Sequence, residues 1–147
     1  MNGPRSIQET YWPDGICFGC GPSNDQGLHI RSFPDGDEVV AEWQPEKHHQ
    51  AFPDVLNGGI IGTLLDCHSA ATSYWALSEG GTKDTGQLVT ARYAVKLLRP
   101  TPVDEPVKIF GRASEVGERK VVVESRIEAG GEVTATCDGV FVVPRPR

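Results

Sequence analysis

Residues 57–77 read NGGIIGTLLDCHSAATSYWAL, and this stretch decides the fold. Its apolar residues recur at helical spacing, which predicts one long helix from Gly58 to about Leu77. Asn57 is a favourable cap at the start, and Gly80-Gly81 supplies a stop signal beyond the end. The apolar positions of the pattern are Ile60, Ile61, Leu64, Leu65, Ala71 and Trp75.

The chain after this helix has the pattern of β-strands. Apolar and polar residues alternate from Val89 to Leu97, and a period of two is typical of a strand. The short turns Gly117-Glu118 and Gly130-Gly131 suit hairpins between the strands that follow. Three more strands are predicted near residues 107–113, 121–127 and 133–143.

Two short strands are predicted before the helix, at 28–33 and 38–43, and residues 1–27 form an irregular lead-in rich in Gly, Pro, Asn and Asp. The order β-β-α-β-β-β-β predicts a single α+β domain over residues 1–147, with an antiparallel sheet wrapped around one long central helix. This arrangement leaves strand edges and apolar surface exposed, and dimerisation is one way to cover them.

The composition fits one globular domain, with 38% apolar and 23% charged residues in 147. A net charge of -6 argues against a nucleic-acid partner, although local Arg or Lys residues can still hold a small phosphorylated ligand. No segment approaches the roughly 20 apolar residues that span a bilayer, and the first twelve residues lack a signal-peptide core. We therefore expect a cytoplasmic protein with no membrane partner, whose four cysteines are thiols or metal ligands rather than disulfides.

A stripe of small residues with one carboxylate runs along the predicted helix. At 100° per residue, its members fall within about 40° of one line. A mid-helix Asp is a poor helix former and is costly to bury, so a carboxylate beside a groove of small residues is a candidate general base or nucleophile. The members of the stripe are Gly59, Gly62, Asp66, Ala70 and Ser73.

The start of the helix offers a complementary group. Asn57 can cap it, and Gly58 and Gly59 leave amide N–H groups free to polarise a carbonyl or stabilise an oxyanion. Asp66 lies about two turns, or roughly 10 Å along the helix axis, beyond Gly59, so a symmetric dimer would be needed to bring the carboxylate and the free amide groups together. The alternative is purely structural: the glycines serve close helix–sheet packing, and Asp66 is a hydrogen-bonded interface residue.

Residues 49–66, HQAFPDVLNGGIIGTLLD, resemble the signature of hotdog-fold acyl-CoA thioesterases of the phenylacetate-pathway (PaaI-like) type. In that family a His-Gly-Gly or Asn-Gly-Gly opens the central helix, and an acidic residue lies eight positions after the first glycine, as Asp66 follows Gly58. The segments 17–21 with 27–28, and 95–100, are also similar to family members, and the resemblance covers roughly residues 16 to 143.

The resemblance implies hydrolysis of an acyl-CoA to a carboxylic acid and free CoA. We expect no cofactor and no metal in the active site. The amide of Gly58 or Gly59 would hold the thioester carbonyl, and Asp66 would activate water or attack directly. The site would lie at a homodimer interface, often within a tetramer made of two dimers. Many members have His at the position of Asn57, and Asn cannot shuttle a proton at neutral pH, so acid–base work falls more heavily on Asp66.

Three further residues are candidate members of the substrate site. His49 precedes the motif in a loop that can line a pocket, Ser73 lies on the Asp66 stripe, and Thr90 stands where the family often places a Ser or Thr near the catalytic water. Each is also explained as an ordinary structural or solvated residue.

Two other functions fit the same residues. A non-catalytic dimer that binds acyl-CoA or a small lipid is suggested by Asn57 in place of His. An enoyl-thioester hydratase would need a histidine paired with the acidic residue. His68 points about 200° away from Asp66 on a helix, so we expect it to be packed and hydrogen-bonded instead.

Cys17 and Cys20 form a single C-x-x-C, which is half of a zinc site, a redox pair, or a tight turn that contains thiols. The turn is the reading we favour, and the sequence does not decide whether these two residues bind metal. Five basic residues are candidates for contacts with CoA phosphates: Arg92, Lys96, Arg99, Arg119 and Lys120.

Overall fold

The computed structural model describes residues 3–146. One long helix dominates it, and the predicted bounds of this helix are confirmed at Gly58 and Leu77. The helices are α1 (Ile7–Tyr11) and α2 (Gly58–Leu77), and the strands are β1 (Phe33–Asp35), β2 (Glu38–Trp43), β3 (Gln50–Phe52), β4 (Val55–Leu56), β5 (Val89–Leu97), β6 (Val107–Val116), β7 (Lys120–Ala129) and β8 (Glu132–Val142).

The main sheet has six antiparallel strands in the order β1-β2-β6-β7-β8-β5. The hairpin predictions are confirmed, since β6 pairs with β7 and β7 pairs with β8 along the chain. β5 follows α2 and, within residues 3–146, pairs with β8 alone, so it forms one edge of the sheet. β3 and β4 form a separate two-stranded hairpin in the loop before α2.

Helix α2 lies across the sheet and buries its apolar face there. Leu64 and Leu65 are fully buried and pack in one cluster with Ile109, Ile127 and Ala135 of the sheet. Burial of each such leucine side chain contributes roughly 1.5–3 kcal/mol to stability. The packing of these leucines therefore fixes both the position of α2 and the face that it turns toward the sheet.

The region before β2 differs from the prediction. The segment 28–32 is not a strand, and strand β1 begins only at Phe33. The backbone of segment 28–32 is hydrogen-bonded to the lead-in instead: Ile7 N–H donates to the Ser32 carbonyl at 2.8 Å, and Ser32 N–H donates to Gln8 Oε1 at 2.8 Å. The N–H groups of Leu28 and Ile30 likewise donate to the carbonyls of Phe18 and Gly19, so these backbone groups are not available to a neighbouring strand.

The lead-in itself contains a short helix that the composition did not predict. Ser6 caps α1 in a capping box with Glu9, in which each side chain bonds to the backbone of the other. The prediction of a wholly irregular segment over residues 1–27 was therefore wrong for residues 7–11. Among residues 3–146, no helix is both long enough and apolar enough to cross a membrane.

Gly111 on β6 lies directly against α2. An added Cβ would lie 2.3 Å from Thr72 Oγ1 and 3.2 Å from its Cβ. We expect Gly111→Ala to lower the free energy of unfolding by about 1–3 kcal/mol, because overfilling a packed core costs that much. Gly3→Ala, where an added Cβ has no neighbour within 4 Å, is the control. Urea denaturation measures both, and equal stability of the two variants would contradict this packing.

Candidate active site

Asp66 is half-buried in the middle of α2, where its side chain meets strand β5. Thr90 Oγ1 donates a hydrogen bond to Asp66 Oδ1 at 2.7 Å. Burial raises the pKa of Asp66 above its usual range; the Thr90 hydrogen bond opposes this shift, and the nearby charge of Cys17 adds to it. A carboxyl with a raised pKa that still ionises is suited to accepting a proton.

A β-bulge brings Thr90 to this position. The register of β5 against β8 steps from Thr90 opposite Phe141 to Arg92 opposite Val140, which leaves Ala91 as an extra residue. The alternation in the sequence predicts that Thr90 and Tyr93 lie on opposite faces of the strand. The bulge turns both toward α2, where Thr90 bonds Asp66 and Tyr93 approaches Gly62.

A groove lies between the first turns of α2 and strand β5. Its volume is about 400 Å³. Side chains of the strand lie beside the helix glycines: a Cβ on Gly58 would meet Leu97 Cδ1 at 3.6 Å and one on Gly62 would meet the Tyr93 hydroxyl at 3.7 Å, which are ordinary van der Waals contacts. The groove is lined by Gly58, Gly59, Gly62, Tyr93, Val95 and Leu97.

The start of α2 presents free amide groups to this groove. Asn57 caps the helix, and its Oδ1 accepts the Ile60 N–H at 3.1 Å. The Ile61 N–H bonds the Asn57 carbonyl at 3.1 Å. Within residues 3–146 no hydrogen bond engages the N–H of Gly58 or Gly59, as expected at the first two positions of a helix. These two exposed donors can bind a carbonyl oxygen or an anion.

His49 does not reach the groove. Its ring is buried beside Trp43, and its Nδ1 accepts the Glu46 N–H at 2.9 Å. Burial and the neighbouring His48 lower its pKa. The His49 carbonyl accepts the Asn57 N–H at 2.9 Å, so His49 helps to hold the capping residue at the start of α2 in place.

Ser73 is also separate from the groove. Its side chain is buried, and its hydroxyl donates to the Ala70 carbonyl one turn back at 2.7 Å. The structure thus joins Asp66 with Thr90, and Asn57 with Gly58 and Gly59, while His49 and Ser73 lie elsewhere. Tyr93 and Leu97 are groove residues that the sequence did not single out, because their alternation showed a strand face but not which helix face it meets.

His68 is packed and hydrogen-bonded, as predicted. It is fully buried, with Nδ1 bonded to Ser32 Oγ at 2.9 Å and Nε2 bonded to the Val39 carbonyl at 2.7 Å. Burial lowers its pKa to about 4, so the ring is neutral at physiological pH. Both ring nitrogens are used in the core, which leaves this histidine unable to assist Asp66.

Among the residues that the structure describes, two groups of side chains have the geometry to hold a metal ion. In the first, Glu46, His48 and His49 lie on a surface turn, where the Glu46 N–H already uses His49 Nδ1. In the second, the thiols of Cys17 and Cys20 lie beside Cys67 of α2. A hydrogen bond from Cys67, together with the backbone N–H groups of Cys20 and Gly19, lowers the pKa of Cys17 to about 5 against the opposing effect of burial.

The chain matches the family model of the thioesterase superfamily over residues 54–136, which is more than half of its length and includes α2 and the groove. The chain belongs to the thioesterase superfamily. It is 30% identical to a thioesterase superfamily protein from Shewanella loihica PV-4, with a TM-score of 0.69 over 83% of this chain and 99% of that one. The antiparallel sheet around one long helix and this likeness confirm the predicted hotdog fold.

Two other proteins are more distant. Acyl-coenzyme A thioesterase THEM4 of Bos taurus is 24% identical over 98% of this chain, and the chain spans 58% of that relative's length. A phenylacetic acid degradation-related protein from Ralstonia eutropha JMP134 is 17% identical, with a TM-score of 0.67 over 79% of this chain and 86% of that one, a likeness that shows the fold alone. The finer assignment to the phenylacetate-pathway type of thioesterase stays a prediction.

The hydrogen bond between Thr90 and Asp66 makes a direct prediction about protonation. Thr90→Val removes the hydrogen-bond donor at nearly constant volume, so the pKa of Asp66 should rise further above its already raised value. Thr90→Ser keeps the hydroxyl and should leave the pKa close to that of the unmodified protein. ¹³C NMR titration of the Asp66 carboxyl measures it, and an Asp66 pKa that is the same in the Val and Ser variants contradicts the assigned bond.

Proposed function

We propose that this protein hydrolyses acyl-CoA thioesters to a carboxylic acid and free CoA. The observation that carries the proposal is the half-buried Asp66 carboxyl, held by Thr90 at the edge of a glycine-lined groove. Membership of the thioesterase superfamily supports the reaction class, and the name of the Bos taurus relative supports the CoA ester as substrate.

The free amide of Gly58 polarises the thioester carbonyl and stabilises the negative charge that develops on its oxygen. Asp66 takes a proton from water as the water oxygen bonds the carbonyl carbon. When the carbon–sulfur bond breaks, the proton passes to the CoA thiolate, and the carboxylic acid leaves. We assign Asp66 the role of general base, and direct attack by its carboxylate remains the alternative chemistry of the same residue.

The proposed reaction needs two copies of the chain. Gly58 and Asp66 are eight residues apart on α2, or roughly 12 Å along its axis, which is too far for one thioester. Strand β5 is a sheet edge with exposed apolar side chains, among them Val89 and Leu97, and such an edge suits pairing with a second copy. In our proposal a homodimer, alone or as half of a tetramer, sets the helix start of one subunit against Asp66 of the other.

Asn57 has a defined place in this proposal. Its side-chain oxygen is used by the Ile60 N–H, so it caps α2 and aims the glycine amides, and it takes no part in proton transfer. Thr90 orients Asp66. Arg92 and Lys96 of β5 are candidates for the CoA phosphates, whereas Arg99 is paired with Glu132 at 2.8 Å and Arg119 bonds carbonyls near the end of the chain.

Of the two other candidate functions, a binding dimer is favoured by one observation: the position of the usual family histidine holds an asparagine that is occupied in a helix cap. Enoyl-thioester hydration has less support, because it would need a histidine paired with Asp66. The partner of Asp66 is Thr90, and His68 is bonded to Ser32 and Val39 in the core.

An acyl-CoA panel with a thiol reagent tests hydrolysis. We expect Asp66→Asn to lower kcat/KM by about 10²–10⁴-fold, the usual contribution of a general base. In the unmodified protein kcat/KM should rise with pH through the raised pKa of Asp66, since only the ionised carboxylate accepts a proton, and this limb should vanish in the variant.

Asp138→Asn is the matched control, because this carboxylate is exposed on β8. Its kcat/KM should equal that of the unmodified protein. Turnover that is unchanged in Asp66→Asn would exclude the role given to Asp66. Saturable CoA-ester binding with no release of thiol from any substrate would establish the binding dimer instead.

A further inference from the structure

Three cysteine thiols from two separate parts of the chain meet beside α2. Cys17 and Cys20 lie in the lead-in, and Cys67 lies on the helix, fifty residues beyond Cys17. Their sulfur atoms are all within 4.8 Å of one another, and the Cys17 and Cys67 sulfurs are 3.6 Å apart. Cys20 and Cys67 are buried, while Cys17 is exposed at the mouth of the cluster.

The sulfur spacing suits a metal ion held by thiolates. Zn²⁺ binds thiolate at about 2.3 Å in tetrahedral geometry, which places two ligand sulfurs about 3.8 Å apart. A disulfide would need about 2.05 Å. Two cysteines separated by two residues, with a third from another element, also follow the ligand spacing of structural zinc sites.

The loop that carries Cys17 and Cys20 has the form that brings its sulfurs onto the helix. A Cβ on Gly19 would lie 2.3 Å from Cys67 Sγ, and one on Gly21 would lie 2.4 Å from the Cys17 nitrogen. Only glycine allows this loop to turn so tightly against α2. The Gly21 N–H closes the turn on the Cys17 carbonyl at 2.8 Å.

We propose that Cys17, Cys20 and Cys67 together bind one thiophilic d¹⁰ cation of the Zn²⁺ class, which clamps the lead-in onto helix α2. Within residues 3–146 no fourth His, Cys, Asp or Glu ligand atom joins this group, so the fourth coordination position falls to a small molecule such as water. The proposed ion links the lead-in to α2, and the proposal stands whether or not the protein hydrolyses thioesters.

Metal titration of the full chain tests the clamp. The protein is reduced with a thiol-free reductant and freed of metal by a chelator, and Zn²⁺ is then titrated against a chromophoric competitor. We expect one Zn²⁺ per chain. Co²⁺ in place of Zn²⁺ should give thiolate-to-metal charge-transfer absorption with the intensity of three sulfur ligands.

Cys17→Ser removes one ligand at an exposed position, so the fold should be retained, as far-UV circular dichroism of the metal-free protein would check. Affinity for Zn²⁺ should fall by more than the roughly 10- to 100-fold that loss of an outer-shell partner causes. Cys137→Ser is the matched control: this buried cysteine lies outside the cluster, and its variant should bind Zn²⁺ and Co²⁺ as the unmodified protein does.

Two results overturn the proposal. One is reduced protein that binds Zn²⁺ no more tightly than Cys17→Ser. The other is a purified chain whose mass is two hydrogens below that of its reduced form and which, after reduction, still takes up no metal. In that case two of the three cysteines form a disulfide and the third is a free thiol.

Discussion

The packing of the leucine face of α2 against the sheet is the constraint on which the rest of the molecule depends. Leu64 and Leu65 are fully buried among sheet residues, so the rotation of the helix about its own axis is fixed. That rotation turns Gly58, Gly62 and Asp66 toward strand β5. A carboxylate in the middle of a helix is unfavourable both for helix propensity and for burial, and the apolar contacts of the opposite face outweigh this cost.

The groove depends equally on an irregularity in β5. Because of the bulge at Ala91, the Thr90 hydroxyl bonds Asp66 and the Tyr93 ring, three residues later on the same edge strand, lies beside the helix glycines. Bulges are common next to active sites because they re-aim a side chain without changing the strands around it. The same edge carries the exposed apolar residues through which a second copy would complete the site.

Local signals sufficed for the parts of the fold that local physics controls. The helix bounds followed from a cap, an apolar period and glycine stops, and the strands after the helix followed from alternation. The contacts between distant segments did not follow. Residues 28–32 look like a strand, but their backbone bonds the lead-in, and no local pattern shows that Cys67 meets Cys17 or that a bulge turns Thr90 toward Asp66.

A mixing experiment tests most directly whether the proposed active site is shared between two subunits. Asp66→Asn lacks the base. Gly58→Pro lacks the amide, and proline is tolerated at the first position of a helix after the extended Asn57. Gly58→Ala keeps the N–H and serves as control. Dimers unfolded and refolded together from equal amounts of the two inactive variants should recover about a quarter of the unmodified thioester turnover, because half are heterodimers with one intact site. Recovery no greater than in the separate variants would contradict a shared site.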